Sequence, residues 1–201
     1  MSPIIVGPSS VNAEMIHPHF IKFIDKYLPD QVLNEAVKKV FKEHWKRLKE
    51  MPASSTGRYH HVAENYIPYG LINHIMRVVY FCDELVTEEQ AYDKDVPERM
   101  KVIAAAFLHD LGKMDTYKSE HGPLARKYLA NEKAFTEDIV KMVERHMHFW
   151  NFNKSYRAQH TLEIIVAYGD YIASRENVEI MGFTYIKKDG TTETITGVQF
   201  R

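Results

Sequence analysis

Apolar positions recur at helical spacing along most of this chain. Between Gln31 and Lys49, Val32, Leu33, Val37, Val40, Phe41, Trp45 and Leu48 fall near a 3.6-residue period, predicting an amphipathic helix with a lysine-rich solvated face. An earlier helix is predicted over about 14–27, stopped by Leu28-Pro29-Asp30, after an irregular arm over 1–12 punctuated by Pro and Ser. Met51–Gly70 reads as a loop by composition. Further helices are predicted near 70–86, 96–111, 123–131, 136–148 and 159–176. Pro123 suits a first turn, and Thr136 an N-cap, with Glu137 and Asp138 favouring the helix dipole behind it. Only the tail changes period: the stretch from Phe183 to Phe200 alternates, and Asp189-Gly190 marks a hairpin turn. The pattern predicts an all-α bundle with a small C-terminal β-hairpin in one domain over 1–201. The arm and two helices over 1–50 pack on a core over 59–176, and 177–201 forms the hairpin tail.

Three of the apolar helices carry ionisable groups where packing alone would place none. In GLINHIMRVVYF, His74 lies at helical spacing from Leu71 and Val78. VIAAAFLHDLGK delivers His109 and Asp110 side by side before Gly112, and LEIIVAYGDYIASR carries Asp170. Burying such groups is costly unless they are paired or bind a metal. Any one of them alone reads as a satisfied core residue; together they are explained by one shared ion. His146 shows the same signature, on the helix face of Ile139, Met142 and Val143.

Composition narrows the class. The chain has 201 residues, 45% of them hydrophobic, enough for a domain with a sizeable core. Lys and Arg number 26 against 27 Asp and Glu, so no net basic charge advertises nucleic acid. The lone Cys82 forms no intrachain disulfide, sits on the apolar His74 helix as a core residue, and suits a reducing cytosol; a cytoplasmic protein is expected. No apolar run approaches the ~20 residues that span a bilayer, and the N-terminus lacks the charged and apolar regions of a signal peptide. Five of the eleven histidines fall from His109 to His160, where further ligands would be expected.

The order His74, then His109-Asp110 followed by Leu-Gly-Lys, then Asp170 followed by Tyr-Ile-Ala-Ser-Arg resembles the HD superfamily of metal-dependent phosphohydrolases over roughly Tyr59 to Arg175. The resemblance implies a helical HD-domain bundle binding a divalent transition metal through His74, His109, Asp110 and Asp170. Imidazole and carboxylate suit Mn, Fe, Co, Ni or Zn, with Mg open but less natural. Such an ion acidifies water and neutralises phosphoryl charge, the two needs of phosphoester hydrolysis. Asp110 and Lys113 are the residues expected to carry catalysis. Lys113 reads equally as a phosphate ligand or as a lysine answering a helix C-terminus. Arg77, one turn after His74, reads as a substrate contact or the partner of an acid. Family members with two metals add a His after the HDxGK segment and another at the end of the next long helix. His121 and His146 match those slots with Asp110 as the bridge, so one or two ions per chain stay open. His148 is expected to touch substrate or lie at the surface.

The stretch PASSTGRYHHVAENYIPYGLINH also resembles the segment before the first ligand in HD-domain 3′–5′ exoribonucleases and some conjugative-element HD proteins, which makes His60 or His61 a substrate contact or an exposed loop residue. The chain lacks room for the separate oligonucleotide-binding domain of those exonucleases, which argues against processive RNA degradation. The expected substrate is a small phosphorylated molecule, a nucleotide first, cleaved at a phosphoester or phosphoanhydride bond. A nuclease or cyclic phosphodiesterase acting on nucleic-acid ends, and a di-iron HD-fold oxygenase, are the alternatives. A nucleic-acid partner and an oligomer stay open; a membrane is not expected.

Overall fold

The computed structural model describes residues 15–56, 60–90 and 96–196. Seven α-helices lie in these segments: α1 (Pro18–Tyr27), α2 (Gln31–Leu48), α3 (Gly70–Gln90), α4 (Val96–Leu108), α5 (His121–Leu129), α6 (Glu137–Arg145) and α7 (Thr161–Ala173). An antiparallel pair, β1 (Thr184–Ile186) and β2 (Thr192–Thr194), closes the order, with Tyr185 opposite Glu193. The protein is the expected helical bundle with a terminal hairpin.

Helix α4 is the axis of the assembly. Its C-terminal half is apolar all round, buried from Val102 to Leu108, and the helix contacts α2, α3, α6 and α7. Helix α3 packs on both α4 and α7, so the three helices that carry the unexpected polar groups are mutual neighbours. A Cβ at Gly169 would meet Cys82 Sγ at 2.3 Å, so glycine there lets α7 approach α3 closely enough to bring Asp170 beside His74.

Helix boundaries shift from the predicted ones for local reasons. Helix α1 starts at Pro18, where the ring is tolerated in the first turn, and His17 Nδ1 accepts the His19 N–H at 3.1 Å as its cap; the predicted start at Glu14 and the arm over 1–12 lie outside the described residues. Asp30 caps α2 through Leu33 N–H at 2.9 Å. Thr136 sits at the N-cap of α6 but its hydroxyl makes no capping bond, leaving Glu137 and Asp138 to answer the dipole. Helix α4 stops at Leu108, short of the predicted 111, and α6 stops at Arg145, short of 148. The hairpin turn spans Lys187 to Thr191, with Gly190 at φ +79°.

The early helices share the apolar cluster of the bundle. Phe20 packs edge-on against Phe41 of α2 at 4.8 Å and against Phe107 of α4 at 6.1 Å. Asn73 ties the hairpin to α3: its amide donates to the carbonyls of Ala63 and Ile186 and accepts the Ile186 N–H at 2.9 Å. We expect residues 15–50 to fold only with the bundle, because two amphipathic helices bury too little surface alone. Limited proteolysis should therefore yield no stable, helical fragment starting near Ser54; recovering one would overturn this.

Candidate metal centre and cavity

The two shifted helix ends create the centre. The side chain of His109 turns back so that Nδ1–H donates to Ala106 carbonyl at 2.8 Å, and His146 does the same to Val143 at 2.7 Å. Each takes up a last-turn carbonyl that the ending helix leaves unpaired. His121, at the start of α5, gives Nδ1–H to Lys118 carbonyl at 2.7 Å. A carbonyl only accepts, so Nδ1 carries the hydrogen in all three rings and Nε2 is left as the inward-facing lone pair of a neutral imidazole. His74 is oriented instead by a carboxylate, with Nδ1 3.1 Å from Glu64 Oε2. Four imidazoles thus present Nε2 to one small volume.

Asp110 divides its carboxylate between them. Its Oδ2 lies 3.1 Å from His109 Nε2, 3.4 Å from His74 Nε2 and 2.7 Å from Lys113 Nζ. Its Oδ1 lies 3.1 Å from His121 Nε2 and 3.7 Å from His146 Nε2. Asp170 Oδ1 closes the first half, 3.1 Å from His74 Nε2 and 3.9 Å from His109 Nε2. All six side chains are buried. A Cβ at Gly112 would fall 1.8 Å from the His121 carbonyl oxygen, so the turn after Asp110 accepts α5 this closely only because that residue is glycine.

The electrostatics fit a cation. Burial pushes Asp170 up, but the His74 hydrogen bond and the nearby His109 and His74 hold it below the usual carboxylate range. Burial likewise raises Asp110, and its contacts with His109 and Lys113 carry it well below that range. Burial and the neighbouring His121 and His109 drive His146 down to about 3, so it is neutral at pH 7. Burial opposes charge on His74, but Glu64 and Asp170 win and raise it to about 9.

Three observations test whether a metal suits these residues. His109 Nε2 is buried and makes no hydrogen bond. The Nε2 atoms of His121 and His146 face each other at 2.8 Å, two lone pairs that need a cation between them. The donors also group as metal sites do: His74, His109 and Asp110; His109, His146 and Asp170; and Asp110, His121 and His146 each bring their ligand atoms within 4.8 Å. The residues fit a divalent ion, and their number allows two. A fourth group, His60, Glu64 and His74, is built around the Glu64 carboxylate that orients His74.

The model of the HD-domain family matches residues 71–175, just over half of the chain. The chain belongs to the HD-domain family. No curated protein and no solved structure matches it. The HD domain makes it a member of a superfamily of metal-dependent hydrolases, with His/Asp clusters that could hold the metal. Among the described residues no helix is long and apolar enough to cross a membrane.

A cavity of about 510 Å³ opens on the centre, lined by Lys113, His121, Asp170, His60, Ser54 and Tyr117 among others. Its size is that of ordinary small-molecule sites. Lys113 bonds Asp110 and the Ala53 carbonyl, both at 2.7 Å, and faces this space. Three residues for which substrate contact is one of two readings do not line the cavity. Arg77 does not reach the cavity: it is fully buried, pairs with Glu64 and donates to Val178 carbonyl at 2.6 Å. His61 stacks on Tyr185 at 4.7 Å, with Nε2 3.3 Å from Glu179, and its neighbour His60 takes the cavity position. His148 packs edge-on against Phe149 at 4.9 Å. Sequence reasoning passed over Glu64, because an acid inside a polar loop reads as solvated. Trp150 and Arg175, which also line the cavity, gave no periodic signal.

Proposed function

We propose that the protein is a metal-dependent phosphohydrolase that cleaves a phosphoester or phosphoanhydride bond of a nucleotide, with His74, His109, Asp110 and Asp170 holding one ion and His121 and His146 a second that shares Asp110. One observation carries this reading: the Asp110 carboxylate gives one oxygen to each histidine pair while Lys113 faces the cavity beside it. Bound there, divalent ions would supply Lewis-acid polarisation of a phosphoryl oxygen and acidification of the attacking water. The chain itself supplies the rest. Lys113 brings a fixed positive charge to a phosphate in the cavity, held in place by Asp110 and the Ala53 carbonyl. The backbone carbonyls of Ala106, Lys118 and Val143 hold three ring tautomers ready, so His109, His121 and His146 need not reorganise.

The test is metal depletion by chelator, reloading with Mn, and assay against nucleoside mono-, di- and triphosphates, cyclic nucleotides and base-free phosphodiesters. Metal-restored hydrolysis and close to two ions per chain are expected, with about one ion left in His146→Ala. Chelation should also lower the melting temperature, since an ion bound only by the folded state stabilises it. One ion at full activity would return His121 and His146 to substrate contact. Iron-loaded protein giving a mixed-valent signal and no hydrolysis would move the chain to oxygen chemistry.

A further inference from the structure

Beyond the cavity lies an aromatic surface that hydrolysis of a small ester does not need. Trp150 lines the cavity with Arg175 and Asp170, yet remains 37% exposed. Its ring lies 5.8 Å from Tyr171 at an interplanar angle of 32°. Phe149 stands 5.1 Å from Tyr171 and 5.0 Å from Tyr168, continuing the cluster past the residues that line the cavity. All four rings are more than a third exposed, a contiguous patch of the kind that marks an interaction site. Arg175 lies over Tyr171, its Cζ 3.9 Å from the ring centroid and its Nε donating to the Tyr171 carbonyl at 3.3 Å, and it makes no ion pair with a carboxylate among the described residues. Lys113 supplies a second positive charge inside the same cavity.

Resting on the phosphohydrolase reading, we propose that this surface holds the bases of a single-stranded oligonucleotide, placing a phosphoester near its end against the metal centre. Aromatic faces stack any base, which makes such a platform tolerant of sequence, and Arg175 and Lys113 answer the backbone phosphates. One mononucleotide would use Trp150 and leave the Phe149–Tyr168 end of the patch uncovered. A protein partner or a second copy would also cover apolar rings, but a strand is favoured because Arg175 lines the same cavity as Lys113, which places both positive charges where backbone phosphates would pass.

The test uses the full chain and two fluorescent octamers of equal charge, one of deoxythymidine and one abasic, both with phosphorothioate linkages to resist cleavage. Anisotropy should show the base-bearing strand binding about tenfold tighter than the abasic one. Trp150→Ala and Tyr171→Ala should each remove most of that preference and leave the abasic affinity unchanged, whereas Trp150→Tyr retains it. Arg175→Gln should weaken both strands and lower the salt slope by about one. Melting curves identify any variant that fails to fold, and wild-type protein still decides through the two octamers alone. Equal binding of the two strands overturns the proposal, as does a concentration-dependent dimer that excludes the octamer. Hydrolysis of a base-free diester alongside equal binding overturns this inference but leaves the phosphohydrolase reading standing. Base-dependent binding with no hydrolysis of any phosphoester supports the surface and sinks that reading.

Discussion

Asp110→Ala should strip both halves of the metal centre and lower hydrolysis by roughly three orders of magnitude. Among the described residues no other side chain approaches all four imidazoles: Oδ2 reaches His74 and His109, and Oδ1 reaches His121 and His146. The substitution also frees Lys113, which then retains only the Ala53 carbonyl and loses its place beside the centre. Metal content should fall from close to two ions towards none, whereas His146→Ala retains one. Helical content by circular dichroism should persist, because the apolar surfaces of α4 are untouched by the change. Two ions per chain in folded Asp110→Ala protein would reject Asp110 as the shared ligand. Asp110→Asn keeps the shape and loses the charge, so it should bind metal more weakly than wild type and remain nearly inactive.

How much of this was legible depends on the kind of signal each residue leaves. The bundle and its hairpin follow from period, since α2, α3, α4 and α7 bury continuous apolar faces and only the tail alternates. His74, His109, Asp110 and Asp170 stand out because a polar group inside an apolar run is anomalous, and the structure gathers them with His121 and His146 within a few ångströms. Helix ends were less readable. Periodicity carries α4 on to 111 and α6 to 148, but side-chain bonds from His109 and His146 to carbonyls three residues back close both helices early. Arg77 was readable as the partner of an acid or a substrate contact, and only the fold decides, because the acid lies thirteen residues away in a short 3-10 turn. Trp150, Tyr171 and Arg175 come from two segments that tertiary packing alone brings together.

Glu64 is the residue whose removal should cost the fold most. Its carboxylate is fully buried and binds three groups at once: Arg77, His60 Nδ1 at 2.5 Å and His74 Nδ1 at 3.1 Å. Burial pushes it up, yet His74, His60 and Arg77 together hold it below the usual carboxylate range. Glu64→Ala leaves the Arg77 guanidinium buried with only the Val178 carbonyl, an uncompensated charge worth about 3–5 kcal/mol of lost stability. For a chain of this size that is a fall of roughly 6–20 °C in Tm. It also releases His74 from the bond that aims Nε2 at Asp110 and Asp170, so metal affinity should drop about 10–100-fold. The double variant Glu64→Gln/Arg77→Met separates the two effects. Removing the stranded charge should restore most of the stability, while metal affinity stays low because a neutral amide orients the imidazole less strongly. If the double variant recovers stability and metal affinity together, Glu64 serves only to neutralise Arg77, and its positioning role is wrong.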